Sequence, residues 1–292
     1  MQEDLDPLYQ RDPATGIWSP RVPVRHCADQ YDPALFRVLL RMQPRHFWYR
    51  GRHRFVLHAL KRELRSSHFR GRRLRAIDLG GGCGGWISYL ARKSPAMFAE
   101  LALADSSLEC LQMARDVASQ AVRLYHADLR RLDWKERWDV AFLLDVVEHL
   151  PDHLEVLGQV RQILRPGGLA LVTAPALNVF WSHNDELVGH VRRYSRRDLR
   201  ALADNCTMEL RWSRYFMFLL SPLVLLHRLR NVDSATLSDS DRVALIERTH
   251  RTPPPWLNAT LASVFSLETP LGFWLPFPWG TSVLGVFQKP LA

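Results

Sequence analysis

A run of glycines follows the first apolar segment that can form a buried strand. Residues 76–79 read Ala-Ile-Asp-Leu, and glycines occupy positions 80, 81, 82, 84 and 85. Glycine lets the backbone turn tightly and approach a ligand closely because it has no Cβ atom. Residues 86–93 then carry apolar side chains at helical spacing. The order of strand, glycine-rich turn and helix predicts the opening unit of a nucleotide-binding sheet.

The residue before the turn separates two kinds of ligand. Gly80, Gly82 and Gly85 fit the dinucleotide pattern G-x-G-x-x-G, which is weak on its own. Asp78 would face the pyrophosphate of NAD or FAD, which is repulsive, whereas S-adenosylmethionine (SAM) has an ammonium group and no phosphate. Residues 78–84 resemble the first motif of class I SAM-dependent methyltransferases. A dinucleotide enzyme and a purely structural turn are the alternatives.

Composition argues against several other classes of protein. The 292 residues, 47% of them hydrophobic, can bury one large core or a core with an appendage. The four cysteines form no C-x-x-C pair, so neither a zinc site nor a disulfide framework is predicted. The acidic N-terminus predicts no signal peptide, and no apolar run reaches eighteen residues. We therefore expect a cytoplasmic protein, with peripheral membrane contact left open.

Positive charge is concentrated in one segment. Residues 41–75 contain twelve Lys or Arg and one acid, Glu63, so their net charge of +11 exceeds the +9 of the whole chain. One interpretation is a solvated helix face. The other is a docking surface for nucleic acid, anionic lipid or a phosphorylated substrate.

The segments after residue 76 alternate between strand and helix patterns. This alternation predicts an α/β fold with a doubly wound, mostly parallel sheet. The predicted strands are residues 76–79, 101–105, 121–125, 138–145, 169–174, 208–215 and 281–288, seven in all. Residues 34–40 and 55–64 predict helices before the sheet, and Ser195 with Asp198 predicts a capping box for a helix ending at Asn205. Resemblance to the methyltransferase fold implies that the last two strands pair antiparallel.

Four regions follow from this pattern. We predict an N-terminal arm with cap helices over residues 1–70, and a SAM-binding core over 71–215. An apolar helical insert or lid is predicted for 216–279, and the final core strand for 280–292. The apolar segments 215–230 and 271–279 are compatible with a lid, an interfacial helix or ordinary core packing.

The resemblance implies a set of SAM-binding residues. Asp78 with the turn glycines would hold the methionine end, Asp105 the ribose hydroxyls, and Asp128 with Leu129 the adenine. Alternative roles are a helix N-cap for Asp105 and a surface loop for Asp128. The full expected set is Asp78, Gly80, Gly82, Gly84, Asp105, Ser106, Asp128, Leu129, Asp145, Trp48 and Arg52, the last two closing over SAM or packing only.

A polar group follows the fourth predicted strand. Asp145, Glu148 and His149 resemble the E-x-x-E-H motif of ubiquinone-pathway O-methyltransferases and small-RNA 2′-O-methyltransferases, which bind a divalent ion there. We favour no metal, with His149 as a base or an orienter of the acceptor. A structural His149 and a divalent ion on these three residues stay as alternatives.

A second polar group follows the fifth predicted strand, in residues 181–194. Together with the Phe47-Trp48 and Arg52 segment, it resembles a bacterial methyltransferase subgroup with F-W…R before the first motif and D…G-H-x-R-R-Y after strand five. Asp185, His190 and Tyr194 are candidate contacts to the acceptor. Alternatively, Arg192 and Arg193 tie the loop to carboxylates.

The predicted function is methyl transfer from SAM to a small-molecule or lipid-like acceptor. The resemblance places subgroup members in natural-product or glycan biosynthesis. A nucleic-acid methyltransferase and a non-catalytic SAM-binding partner or regulator are the alternatives, and the sequence gives no oligomeric state.

Overall fold

The computed structural model describes residues 8–24, 33–65, 67–228 and 251–291. Within these residues one sheet contains nine strands: β1 Tyr9–Arg11, β2 Trp18–Pro20, β3 Leu74–Leu79, β4 Phe98–Asp105, β5 Val122–His126, β6 Trp138–Leu144, β7 Leu164–Pro175, β8 Glu209–Phe216 and β9 Ser282–Gln288. Their spatial order is β1-β2-β5-β4-β3-β6-β7-β9-β8.

Helices cover both faces of this sheet. The described α-helices are α1 Pro33–Met42, α2 Phe47–Glu63, α3 Gly85–Lys93, α4 Leu108–Val117, α5 His153–Ile163, α6 His183–Leu187, α7 Arg196–Asn205, α8 Ser221–Arg228 and α9 Pro255–Trp274. Ser195 caps α7 and forms a capping box with Asp198, which confirms the prediction.

The central strands of the sheet pair in parallel and are buried on both faces. β3 pairs with β4 and β6 in parallel, and every residue of β6 is buried, as expected for a strand covered on both faces. β9 pairs antiparallel with both β7 and β8. The doubly wound, mostly parallel fold class is therefore confirmed, and so is the antiparallel end of the sheet.

The predicted number of seven strands was too low. Residues expected to form an irregular arm instead form the antiparallel hairpin β1–β2, and Trp18 pairs with Tyr125 of β5. Tyr9 stacks on Trp134, with ring centroids 4.8 Å apart. Strands of three residues are too short to show periodicity, so only these aromatic contacts reveal them.

A second difference lies before the fifth predicted strand. The fifth strand was predicted to start at residue 169, but β7 starts at Leu164 and includes Arg165-Pro-Gly-Gly, a sequence typical of a turn. Gly167 has a φ of 75°, and the register between β6 and β7 shifts between Trp138 and Val140. The strand accommodates the turn residues as an irregularity at its start.

Helices α8 and α9 occupy the region predicted as an insert. α9 packs against α2, and a Cβ atom on Gly51 would lie 2.0 Å from the Phe265 ring, so only glycine allows this approach. Residues 229–250 of the predicted insert lie outside the described residues. None of the described helices is long and apolar enough to cross a membrane.

Candidate active site

A cavity of about 1420 Å³ opens at the carboxyl ends of the central strands. Ten of the eleven expected SAM-binding residues line it, and Gly84 is the exception because it caps the start of α3. Asp185, His149 and His190 also line the cavity. Doubly wound sheets bind ligands at this edge, so the structure brings the two predicted polar groups and the glycine turn together.

The glycine turn is a left-handed backbone folded over Asp78. Gly80, Gly82 and Gly84 have φ values of 67°, 53° and 76°, a region that side chains with a Cβ rarely adopt. A Cβ atom on Gly81 would lie 2.3 Å from Asp78 Oδ2, whereas one on Gly82 would meet open space. The turn therefore needs glycine next to the carboxylate and presents bare backbone to the cavity.

The carboxylate of Asp78 is buried without the hydrogen bonds that would compensate for its loss of water. Its relative exposure is 1%, and neither carboxylate oxygen has a hydrogen-bond partner in the described part of the chain. Burial raises the pKa of Asp78 to about 7, an effect that the charge of Arg52 opposes. A buried carboxylate without partners is costly. A cationic donor in the cavity, such as the ammonium group of SAM, would supply the missing hydrogen bonds.

Asp105 and Asp128 are held in fixed orientations on the same edge. Asp105 accepts hydrogen bonds from the backbone N–H groups of Gly82 and Ser107, both 2.9 Å long. Ser107, rather than Asp105, caps α4, which removes the N-cap alternative. Asp128 accepts from the backbone N–H and the guanidinium of Arg130. Both carboxylates face the cavity from the ends of neighbouring strands.

Arg52 and Asp145 form a buried ion pair beside Asp78. The guanidinium of Arg52 also lies 4.9 Å from the Trp48 ring and 5.4 Å from the Tyr49 ring, distances typical of cation–π contacts. Asp145 has a φ of 59°, which is unusual for a residue with a side chain. The structure therefore shows packing of Arg52 on Trp48, and the cavity wall contains both residues.

Glu148, His149 and His190 form a compact cluster. One ligand-type atom from each lies within 4.8 Å of the others. Glu148 has no exposed surface and no hydrogen bond to its carboxylate among the described residues, and His190 Nε2 lies 3.9 Å from its Oε1. Burial, with the charge of Asp145 adding to it, raises the pKa of Glu148. The ring centroids of His149 and His190 are 4.8 Å apart.

The two histidines differ in their surroundings. Burial, with His190 adding to it, lowers the pKa of His149 to about 3, so its imidazole stays neutral at neutral pH. His190 Nδ1 donates to Asp185 Oδ1 at 2.8 Å. This bond fixes the ring orientation and leaves Nε2 as the nitrogen that faces the cluster.

Asp185 is the fixed anion of the second polar group. Burial opposes its ionisation, but hydrogen bonds from His190 and Arg193 lower the pKa of Asp185 to about 2. The Ser182 N–H donates to its second oxygen, and Arg193 also donates to the Ala176 carbonyl. Asp185 therefore orients His190, and Arg193 ties the loop to this carboxylate as one alternative expected.

Two expectations need correction. Tyr194 does not line the cavity; its hydroxyl donates to the Val147 carbonyl, 3.1 Å away, and supports the segment that carries Glu148. The metal alternative named Asp145, but this carboxylate is paired with Arg52, and His190 takes its place in the cluster. No pattern in the sequence predicts the path of the loop that carries His190.

The opposite wall of the cavity was not predicted residue by residue. It is apolar and comes from α8, α9 and the residue before α8, through Leu220, Leu223, Val224, Leu257 and Leu261. Their spacing indicates helices, but only the packing of those helices shows which side chains face the cavity.

Comparisons with known proteins agree with this site. Residues 46–207 match the family model described as a methyltransferase domain, so the chain belongs to this family of class I SAM-dependent methyltransferases. S-adenosylmethionine is its cofactor, and the uncompensated Asp78 under the glycine turn fits that group.

Two curated relatives match part of the chain. One is a trans-aconitate 2-methyltransferase of Azoarcus sp. (strain BH72), 35% identical over 99 residues, which are 34% of this chain and 38% of the relative. The other is a ubiquinone biosynthesis O-methyltransferase of Bradyrhizobium sp. (strain ORS 278), 28% identical over 37% of this chain and 42% of the relative. The chain thus spans about two fifths of the length of these relatives.

Two solved structures share the fold. A Haemonchus contortus phosphoethanolamine N-methyltransferase 2 has a TM-score of 0.55 at 17% identity, over 94% of this chain and 62% of that chain. A Haloferax volcanii methyltransferase in complex with the Trm112 activator has a TM-score of 0.54 at 17% identity, over 91% of this chain and 98% of the other.

Proposed function

We propose that this methyltransferase methylates a small-molecule or lipid-like acceptor in natural-product or glycan biosynthesis. The size and lining of the cavity carry the proposal. At about 1420 Å³ it is larger than an ordinary ligand pocket of roughly 300–1000 Å³, so it has room for SAM and an acceptor together. The names of the two curated relatives, one acting on trans-aconitate and one in ubiquinone biosynthesis, support an acceptor that is a small molecule.

The polar residues divide into two sets. We assign SAM binding to Asp78, the turn glycines, Asp105 with Ser106, Asp128 with Leu129, and the Asp145–Arg52–Trp48 group. When bound, SAM supplies an electrophilic methyl group on a sulfonium. The chain orients the acceptor against it and excludes water with the apolar wall, and holding the two reactants in place accounts for most of the acceleration.

The proton of the acceptor goes to a histidine. The sequence-based candidate was His149, but its lowered pKa makes it a weak base. His190 is the better-placed proton acceptor because the hydrogen bond from Nδ1 to Asp185 fixes the ring and leaves Nε2 free to accept. We assign orientation of the acceptor to His149, beside which Glu148 is fully buried.

A nucleic-acid acceptor is not favoured. Several arginines of the basic segment are engaged within the protein. Arg52 pairs with Asp145, Arg72 with Asp139 and Arg75 with Glu100, and Arg73 donates to the Phe98 carbonyl. A non-catalytic SAM-binding role is not favoured either, because it would not require a histidine oriented by a carboxylate, as His190 is by Asp185.

Asp105→Ala tests the ribose assignment. We expect weaker SAM binding by roughly 1–3 kcal/mol, because charge-assisted hydrogen bonds to two hydroxyls are lost. Calorimetric titration of the folded variant measures the affinity. Glu109→Ala, which removes an acid from the first turn of α4, is the matched control. Equal affinities for the two variants contradict the assignment.

A further inference from the structure

Helix α9 presents an uncharged side to solvent, on which large apolar residues flank Thr260 and Ser263, whose hydroxyls donate to carbonyls of the same helix. Trp256, Leu267, Leu271 and Trp274 follow helical spacing along one side, and their relative exposures are 72%, 67%, 43% and 79%. We call these four residues the apolar face. The only acid in α9 is Glu268, which has no exposed surface. Its carboxylate accepts hydrogen bonds from the backbone N–H groups of Phe218 and Leu219.

Further aromatic and apolar side chains lie on the segments that flank α8 and follow α9. Phe218, just before α8, stacks on Phe277 with ring centroids 4.6 Å apart, and Trp279 donates its indole N–H to Ser221 of α8. Leu223 of α8 is 57% exposed and also lines the cavity. An exposed apolar side chain of α8 thus also lies at the cavity.

A row of arginines lies along the same helix. The backbone carbonyl of Arg45 accepts from Asn258 near the start of α9, Arg54 donates to the Ala262 carbonyl, and Arg62 donates to the Phe273 carbonyl near its end. Arg45 and Arg62 are exposed. The only acid among residues 41–75, Glu63, is buried and bound to Arg211. Positive charge therefore lies on the α2 side of α9, behind the apolar face.

We propose that the apolar face docks on an anionic membrane surface. Tryptophan and leucine insert at the boundary of headgroups and acyl chains, while neighbouring arginines attract anionic headgroups. The two tryptophans are eighteen positions apart, which is about 27 Å of helix, so both ends are anchored.

Docking deepens the proposed function and in that part rests on it. Leu257 and Leu261 of α9 line the cavity, one turn apart. The helix that lies on the bilayer thus also forms a wall of the acceptor site. The acceptor class that fits is a membrane lipid with a polar group to be methylated and an apolar chain that stays against this wall.

Vesicle flotation tests the docking surface. Wild-type protein is expected to float with vesicles of equal parts phosphatidylcholine and phosphatidylglycerol, to bind phosphatidylcholine vesicles less, and to bind less at high salt. The Leu267→Glu/Trp274→Glu variant is expected to lose roughly tenfold or more in vesicle affinity, because two apolar contacts are replaced by charge. Arg45→Gln/Arg62→Gln should reduce binding to the anionic vesicles only.

The control is Val117→Glu, which adds a charge to an exposed apolar position on α4. It is expected to bind vesicles as the wild type does. SAM affinity, measured by calorimetry, should be unchanged in all of these variants, so failure of docking and failure of SAM binding are separate results. Absence of vesicle binding, or equal binding by Val117→Glu and the α9 double variant, overturns the proposal. So does a lipid-free dimer, seen by sedimentation velocity, that the α9 substitutions dissociate.

Discussion

Replacing His190 by alanine is expected to lower turnover by roughly 10²–10⁴-fold, the usual contribution of a positioned general base. SAM affinity should stay near that of the wild type, because His190 is not among the residues assigned to SAM. Asp185 keeps its bonds from Ser182 and Arg193, so the loop stays folded. Turnover is measured as S-adenosylhomocysteine formed with a cell lipid and metabolite extract as the source of acceptor.

The neighbouring substitution distinguishes the two histidines. His149→Ala should cost about tenfold, as expected for loss of an orienting hydrogen bond, and Val191→Ala in the same loop should have no effect. A larger loss for His149→Ala than for His190→Ala would return the base role to His149. Loss of wild-type activity with chelator and its recovery with Mg²⁺ would instead assign the cluster of Glu148, His149 and His190 to a metal.

Asp78→Asn is expected to act on binding and stability in opposite directions. SAM affinity should fall by roughly 10²–10³-fold, because the ammonium group loses its buried anionic partner. The unliganded protein should gain about 1–3 kcal/mol at pH 8, since an ionised, unpaired carboxylate is removed from the interior. Calorimetric titration measures the first effect, and urea unfolding without SAM measures the second.

The pH dependence follows from the raised pKa of Asp78. Its folded-state pKa of about 7 lies above the ordinary value of 3.8. Below pH 4 the group is protonated in both states and costs nothing, and its destabilising effect grows as pH rises to 7. The stability gain of Asp78→Asn should therefore appear between these values and be complete above pH 7. SAM affinity of the wild type should rise over the upper part of that range. Equal stability of the two proteins at pH 8 would contradict an uncompensated charge.

Short-range signals made most of the fold predictable. The strand and glycine turn at residues 76–85 and the Ser195–Asp198 cap are local patterns, so they specify their structures without distant contacts. β1 and β2 have three residues each, and β2 pairs with Tyr125 across more than a hundred positions. No local pattern contains that information.

The sequence predicted which residues lie at the candidate site better than it predicted their contacts. Strand ends place Asp78, Asp105, Asp128 and Asp145 on one edge because parallel strands share their carboxyl ends. The pairing of Arg52 with Asp145 depends on how α2 packs. The approach of His190 to Glu148 depends on the path of a loop. Both are tertiary results, and the sequence left the roles of these residues as alternatives.

The contact of Gly51 with Phe265 joins helices that are far apart in the chain. During synthesis β3 to β8 and the glycine turn emerge before α9, which supplies Leu257 and Leu261 to the cavity. The nascent protein therefore has the cofactor side of its site before it has the wall opposite. Closing so long a loop is slow compared with forming local structure, so we expect the acceptor side of the site to mature after the cofactor side.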